Sequence, residues 1–189
     1  MAPKVKVTKE DIIRASLALV REGGDRVLNA RSIAAALGCS TQPIFSNFSG
    51  MEELEAAVGA AAYAHYLHFL RRETESGAYP PYKAFGMAYI RFAREERELF
   101  KLLFMRDRTG EDLSPSTDFE ESVRMIASAN GVSMETARLI HLEVWACVHG
   151  IATMLVTSFL PLKEELISTM LSDAYLGIRE RHKAKEETK

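Results

Sequence analysis

A short stretch of the chain, residues 41–47, carries side chains whose chemistry suits the edges of nucleic-acid bases. Its hydrogen-bonding residues are Thr41, Gln42, Ser46 and Asn47. The amides of Gln and Asn can each pair with adenine through two hydrogen bonds in a major groove about 12 Å wide. A helix that turned these side chains outward could therefore contact bases in double-stranded DNA.

The residues around this stretch predict two short helices joined by a glycine turn. Asn29 is expected to cap a helix over residues 30–37, and Gly38 supplies the turn conformation that a Cβ atom would resist. Ser40 or Thr41 would cap the next helix, which ends near Phe48. The apolar positions expected to hold the pair together are Ile33, Leu37, Ile44 and Phe48, with the small Ala34 between them. The pattern predicts a helix-turn-helix, although a helical subdomain without DNA contacts could use the same turn.

Helical periodicity continues along nearly the whole chain, and signals for strands are scarce. Thr8 is a plausible cap for a first helix that ends at residues 23–24. The further predicted helices cover residues 51–75, 81–94, 99–105, about 116–130, 133–159 and 162–181, and the charged tail after residue 178 is expected to fray. The fold class expected is therefore all-α.

Charge is distributed unevenly between the two ends of the protein. The chain of 189 residues has 24 Lys and Arg against 26 Asp and Glu, a formal net charge of −2. Residues 1–50 nevertheless hold seven basic side chains against four acidic ones. This asymmetry favours an anionic partner for the N-terminal part. Cys39 and Cys147 lie far apart in sequence, and the N-terminus lacks an apolar signal region, so a reduced, cytoplasmic protein is expected.

One segment, residues 144–162, is long and uncharged enough to raise the alternative of a membrane helix. It is interrupted by His149, Gly150 and Pro161, and it lacks a strongly basic flank. A helix at the centre of a bundle or at an oligomer interface has the same composition. We therefore expect no membrane span.

The N-terminal segment resembles the DNA-binding domain of TetR-type transcriptional regulators over about residues 8–60. The resemblance rests on a capped first helix, Gly23-Gly24, the run ARSIAAALGCS and the run TQPIFSNFSGMEEL. It implies an all-α protein with a helix-turn-helix domain over residues 1–50 and a regulatory, ligand-binding and dimerisation domain over residues 51–189. It further implies a homodimeric repressor, paired through its two C-terminal helices, that leaves a palindromic DNA operator when a small molecule binds. A weaker resemblance, Trp145 followed by His149-Gly150, points to one subgroup of these regulators.

The resemblance implies a set of DNA-contacting residues and also shows two departures from the family pattern. Phe45 stands where many members carry a phosphate-binding Tyr, and Met51 stands where many carry Lys. Contacts to the DNA backbone must then rely more on the remaining polar groups and the N-terminal lysines. The expected DNA-binding residues are Arg31, Ser40, Thr41, Gln42, Pro43, Phe45, Ser46 and Asn47.

Aromatic and Met side chains in the C-terminal part suit a largely apolar effector, although ordinary core packing is the simpler reading for each of them alone. The expected effector-binding residues are Tyr66, Phe69, Tyr89, Phe92, Phe104, Met125, Trp145 and His149. His141, Trp145 and His149 share one helix face, where they could line the effector site, pack at a dimer seam or lie in the core. His65 and His68 are spaced for chelation but lack a third ligand nearby, so no metal is expected.

No catalytic motif is present: the chain has no nucleophile elbow, no phosphate-binding loop and no dinucleotide fingerprint. We expect neither an enzyme nor a cofactor. The alternative function is that of an all-α carrier or adaptor that binds a small molecule and does not contact DNA.

Overall fold

The computed structural model describes residues 7–110 and 117–188, and within these ranges the chain forms nine α-helices and no strand. The prediction of an all-α protein is confirmed. The helices are α1 (Lys9–Gly23), α2 (Ala30–Ala36), α3 (Gln42–Asn47), α4 (Met51–Glu75), α5 (Pro81–Glu95), α6 (Arg97–Phe104), α7 (Thr117–Asn130), α8 (Met134–Val156) and α9 (Glu164–Glu187).

Three helix starts are set by the capping residues that the sequence predicts. Thr8 and Asp11 form a reciprocal capping box at α1, in which each side chain accepts a hydrogen bond from the other residue's backbone N–H. The Asn29 side chain accepts from the backbone N–H of Ser32 at 3.0 Å, and Ser133 caps α8 in the same way. These caps satisfy backbone donors that would otherwise lack partners.

Two helix ends differ from the sequence-based prediction. Helix α8 stops at Val156, three residues before Phe159, because Ser158 takes a left-handed conformation with φ of 55°. Helix α9 runs on to Glu187, so the prediction of a fraying tail after residue 178 is wrong. His182 is buried and contacts Glu143 of α8 at 2.7 Å, and these contacts hold the last turns of α9 in place.

The helices group into two compact units. The first comprises residues 7–68 and 96–107, so it contains α1 to α3, the first two thirds of α4, and α6. Its core is built from Ile, Leu, Val and Phe side chains that are almost completely buried: Ile12, Val20, Ile33, Ile44, Phe48, Leu54, Val58, Leu99 and Phe100. The predicted domain boundary near residue 50 stays a prediction.

The second unit comprises residues 69–95, 108–110 and 117–188, in which α8 packs against α5, α7 and α9. Gly86 permits the close approach of α5, because a Cβ atom there would lie 3.3 Å from Val148 and 3.4 Å from Leu171. Among the described residues, α8 has the length and composition that could cross a membrane. Because α8 packs against three neighbouring helices, its apolar composition is also that of a core helix.

Candidate functional site

The turn between α2 and α3 has the geometry that its sequence predicts. Gly38 has φ of 63°, a left-handed conformation in which other residues are strained. The Cys39 backbone N–H donates to the Ala34 carbonyl at 3.0 Å and closes the turn. Ile33 and Ile44 are fully buried on either side of it. The turn and the buried residues together fix the direction in which α3 leaves α2.

The eight residues predicted to contact DNA all lie on α2, on this turn or on α3. Phe45 is the most notable of them, since 53% of an aromatic side chain is exposed on a six-residue helix. The exposed members are Arg31, Ser40, Gln42, Phe45 and Ser46, and the half-buried ones are Thr41, Pro43 and Asn47. The turn therefore brings the predicted set together on one short segment of the first unit.

The two amide side chains of α3 are in different environments. The Asn47 amide is half-buried and donates to the Pro43 carbonyl at 2.7 Å and to the Val7 carbonyl at 3.5 Å. The Gln42 side chain is exposed and makes no hydrogen bond with another described residue. Ser46 donates its hydroxyl to the Gln42 backbone carbonyl at 2.9 Å. Gln42 thus presents its amide outward, whereas Asn47 uses its amide nitrogen within the protein.

The Glu53 carboxylate binds residues next to the C-terminal end of α3. It accepts from the Lys9 ammonium at 2.8 Å and from the backbone N–H and hydroxyl of Ser49 at 2.8 and 2.9 Å. These hydrogen bonds, first the one from Lys9, lower the pKa of Glu53 to about 2. The carboxylate is therefore charged at every pH at which the protein would be studied.

A second ionic contact joins α1 to the residues around α6. Arg21 donates through Nε to Glu96 at 2.8 Å, and the ring Nε2 of His65 lies 3.2 Å from the same carboxylate. Gly24 has φ of 76°, and a Cβ atom there would lie 2.8 Å from the Glu98 carboxylate. The first unit is thus held together by contacts between residues as far as 75 positions apart. Sequence analysis missed these residues, since nothing in the sequence pairs Arg21 with Glu96.

The predicted effector-binding residues fall into clusters in both units. In the first unit, the rings of Tyr66 and Phe104 meet edge to face, with 5.1 Å between centroids. In the second, Phe69 and Phe92 meet in the same way at 5.4 Å. Met125 is half-buried on α7.

The remaining three predicted residues form one chain of contacts from the interior to the surface of the second unit. The buried Tyr89 hydroxyl lies 2.9 Å from Nδ1 of His149. The His149 ring stacks on Trp145 with an interplanar angle of 11° and 5.1 Å between centroids. Trp145 is 44% exposed. Burial lowers the pKa of His149 and so favours its neutral ring.

A second tyrosine–histidine pair repeats this arrangement about two turns earlier on the same two helices. The Tyr82 hydroxyl lies 2.8 Å from Nδ1 of His141, and the Phe119 ring packs edge to face on the imidazole. Burial lowers the pKa of His141 and raises that of Tyr82. Sequence analysis did not identify Tyr82, because its partner lies 59 positions away.

The outer faces of α8 and α9 expose large apolar side chains that are 37% to 54% exposed. We call this set the α8–α9 face; its members are Leu139, Leu142, Trp145, Leu166, Met170 and Leu176. Gly150 and Gly177 are on the same two helices, and a Cβ atom at either would meet nothing within 4 Å. Exposed apolar surface of this extent is typical of a protein–protein contact.

Comparison with known proteins identifies the family of one segment of the chain. Residues 82–173 match the family model described as the tetracyclin repressor-like C-terminal domain. That range includes the tyrosine–histidine pairs and Trp145. The matched segment is a TetR-type C-terminal domain. None of the curated proteins is significantly similar to the chain in sequence.

Two solved structures are similar to this chain in fold. A TetR family member from Streptomyces coelicolor A3 is 17% identical, with a TM-score of 0.60 over 88% of this chain and 96% of its own. A candidate transcriptional regulator from Pseudomonas aeruginosa PAO1 is also 17% identical, with a TM-score of 0.67 over 93% and 92% of the two chains.

TetR-type proteins regulate transcription and are not enzymes. Within the described ranges, no three His, Cys, Asp or Glu side chains come close enough together to hold a metal ion.

Proposed function

We propose that the protein acts as a homodimeric repressor, which binds a palindromic operator through α3 and dissociates from it when a largely apolar small molecule binds. The observation that carries the proposal is the outer side of α3, where Gln42, Phe45 and Ser46 are exposed while Ile44 and Phe48 are buried beneath them. Side chains of this kind on a helix held by a glycine turn suit contact with base edges and the DNA backbone.

Each exposed residue has a proposed role that follows from its chemistry. Gln42 would pair with a base edge, and Phe45 would contact a thymine methyl group or a sugar, since its ring cannot donate a hydrogen bond to phosphate. Arg31, Ser40, Thr41 and Ser46 would contact the backbone. Asn47 and Pro43 would act indirectly, because the Asn47 amide nitrogen donates to the Pro43 carbonyl.

The homodimer is proposed to form through the α8–α9 face. Its apolar side chains are exposed, and Gly150 and Gly177 on the same two helices leave open space into which a second copy could pack. A two-fold dimer presents two copies of α3, and such a pair requires half-sites related by the same symmetry. The operator is therefore expected to be an inverted repeat.

The effector is proposed to bind among the aromatic side chains of the regulatory helices. Phe69, Phe92 and Met125 offer apolar contact, and the Tyr89–His149–Trp145 chain offers a polar group beside an aromatic surface. Effector binding would favour a dimer geometry in which the two α3 helices no longer match both half-sites. We further propose that the protein acts in the cytoplasm, where its DNA target and a metabolic effector would both be available.

The experiment that tests the proposal is selection of bound fragments from random-sequence DNA by the purified protein. An enriched inverted repeat is expected, with an affinity that falls steeply as salt rises, because counterions are released from the phosphates. Light scattering on the same sample should give the mass of a dimer. Failure to enrich any sequence at low salt, together with salt-insensitive binding of apolar dyes, would favour a small-molecule carrier or adaptor instead.

A further inference from the structure

The Glu53 carboxylate joins three segments of the first unit at one point. Lys9 belongs to the first turn of α1, Ser49 lies in the turn between α3 and α4, and Glu53 itself lies in the first turn of α4. The Lys9 ammonium also sits 4.5 Å from the centroid of the Phe48 ring. Phe48 is 2% exposed and ends α3. We call these four residues, Lys9, Phe48, Ser49 and Glu53, the Glu53 clamp.

Helix α3 depends on contacts of this kind because it is too short to hold itself. It has six residues, and its N-cap residue Thr41 does not make the predicted side-chain capping hydrogen bond. Isolated helices need roughly 12 residues or more to be even marginally stable in water. Its position is therefore set by the burial of Ile44 from below and by the clamp at its C-terminal end.

The clamp also binds the ammonium group of Lys9, which a simple count of charges would assign to DNA binding. Lys9 is one of seven basic residues in the first fifty. Its ammonium is bound by Glu53 and covered on one side by the ring of Phe48. The same carboxylate binds the Ser49 N–H and hydroxyl, which are donors of the type that phosphate would use.

We propose that Glu53 is a positioning residue for DNA binding, which sets the pose of α3 by clamping Lys9 and Ser49, and that Lys9 serves the clamp and not the DNA backbone. This inference rests on the proposed DNA-binding function. It reverses the expectation from charge alone, by which an acidic residue near the DNA-binding helix weakens binding and a basic one strengthens it.

Glu52 provides a matched control, because it is an acidic residue in the same first turn of α4. It is exposed, and its side chain makes no hydrogen bond or ion pair with another described residue. Glu52→Ala and Glu53→Ala therefore remove the same charge from the same helix end. Only Glu53→Ala breaks the clamp.

The first measurement is the affinity of the full-length variants for the selected inverted repeat and for a random-sequence duplex of equal length. Glu53→Ala is expected to weaken binding to the repeat by about fivefold, because the ion pair that is lost is exposed and screened by solvent. Glu52→Ala should leave affinity unchanged or raise it. If both variants bind more tightly by the same factor, the two acids act only through charge and the proposal is overturned.

The salt dependence of binding tests the role assigned to Lys9. Lys9→Met is expected to weaken binding without changing the slope of log affinity against log salt, and the double variant with Glu53→Ala should be no weaker than either single one. Lys9→Arg keeps the charge and should restore most of the affinity. A slope reduced by about 1 in Lys9→Met would make Lys9 a phosphate ligand and overturn its assignment.

Hydrogen exchange separates failure of this inference from failure of the proposed function, because it needs no DNA. Peptides covering residues 42–48 of Glu53→Ala are expected to exchange faster than those of the wild type and of Glu52→Ala. Glu53→Gln, a smaller change, serves if the alanine variant does not fold. If exchange in this segment were unchanged, the proposal that Glu53 positions α3 would be overturned, even if the wild type binds its operator. If the wild type binds no duplex, the proposed function fails and the exchange result alone decides on the clamp.

Discussion

Helix α3 and helix α8 both turn side chains toward solvent, but the two surfaces differ in character. The outer side of α3 is short and mostly polar, and it is supported from behind by buried residues such as Ile44 and Phe48. The outer side of α8 is long and apolar, with Leu142 54% exposed in the middle of a 23-residue helix. A polar surface on a firmly held short helix suits a hydrated polyanion, whereas an apolar surface on a long helix suits another protein surface. The difference shows that exposure alone does not identify a binding partner, because the chemistry of the exposed groups must be considered too.

The largest expected effect comes from placing a charge on the α8–α9 face. Leu142→Glu should convert the proposed dimer to a monomer, because a carboxylate would be buried without a partner. Operator affinity should then fall by at least about 100-fold, since two half-sites would no longer be bound together. Light scattering and a DNA-binding titration would measure the two effects.

Ser128→Glu is the matched control for this change, since it introduces the same acid at an exposed position of α7. A dimer of normal affinity is expected for it. If the Leu142→Glu protein remained dimeric, α8 would not be part of the dimer interface.

The next effect separates the two amides of α3. Gln42→Ala should cost about 1–3 kcal/mol of discrimination at one base pair of each half-site, because a base contact is lost. Asn47→Ala should instead weaken binding to all sequences alike, since its amide nitrogen donates to the Pro43 carbonyl. Affinities for a panel of single-base operator variants would distinguish the two patterns. The roles are reversed if Asn47→Ala relaxes sequence preference while Gln42→Ala preserves it.

A smaller effect concerns the turn that supports the polar surface. Gly38→Ala should lower the free energy of unfolding by about 1–2 kcal/mol, because alanine is strained at φ of 63°. Gly50→Ala is the control, since Gly50 has an ordinary backbone conformation and open space around its Cα atom. Urea denaturation followed by circular dichroism would compare the two variants, and equal stabilities would show that the turn tolerates a side chain.

The smallest effect concerns the tyrosine–histidine pairs of the second unit. Burial lowers the pKa values of His141 and His149 in the folded protein, so the unfolded chain binds protons more readily as pH falls. The stability due to the neutral rings is therefore complete above the unfolded pKa of about 6.5 and is lost as pH falls below it. The thermal midpoint should decrease from neutral to mildly acidic pH.

His149→Asn should make this pH dependence shallower, because one of the two titrating rings is removed. His68→Asn, at an exposed position of α4, should leave it unchanged. A wild-type midpoint that stays constant across this pH range would contradict the assignment of neutral rings.

The sequence predicts most of the proposed DNA-binding segment because its determinants are local. Gly38, Ile33 and Ile44 lie within a dozen residues, so spacing alone indicates the turn and the buried side. Sequence does not indicate which way an amide points, and Gln42 and Asn47 therefore look equivalent until the Pro43 carbonyl is seen to accept from one of them.

For the second unit, the sequence predicts the helices but not the side-chain contacts between them. Helical periodicity identifies α5 and α8, yet the pairing of Tyr89 with His149 joins residues 60 positions apart. Such contacts depend on how helices pack, and no local pattern encodes them. The length of α9 was underestimated for the same reason, since the contact of His182 with Glu143 of α8 stabilises turns that look fully solvated in sequence.

The stacking of Trp145 on His149 gives this molecule an optical property of its own. Trp145 is the single tryptophan in the chain, so fluorescence excited at the red edge of protein absorption comes from one known place. The indole is partly in water, and any molecule that covers it would shift its emission to shorter wavelength. A protonated imidazole quenches indole emission by accepting an electron, so the intensity would also report the charge on His149. Assembly, effector binding and acidification would thus each change the same intrinsic signal, without any label being attached to the protein.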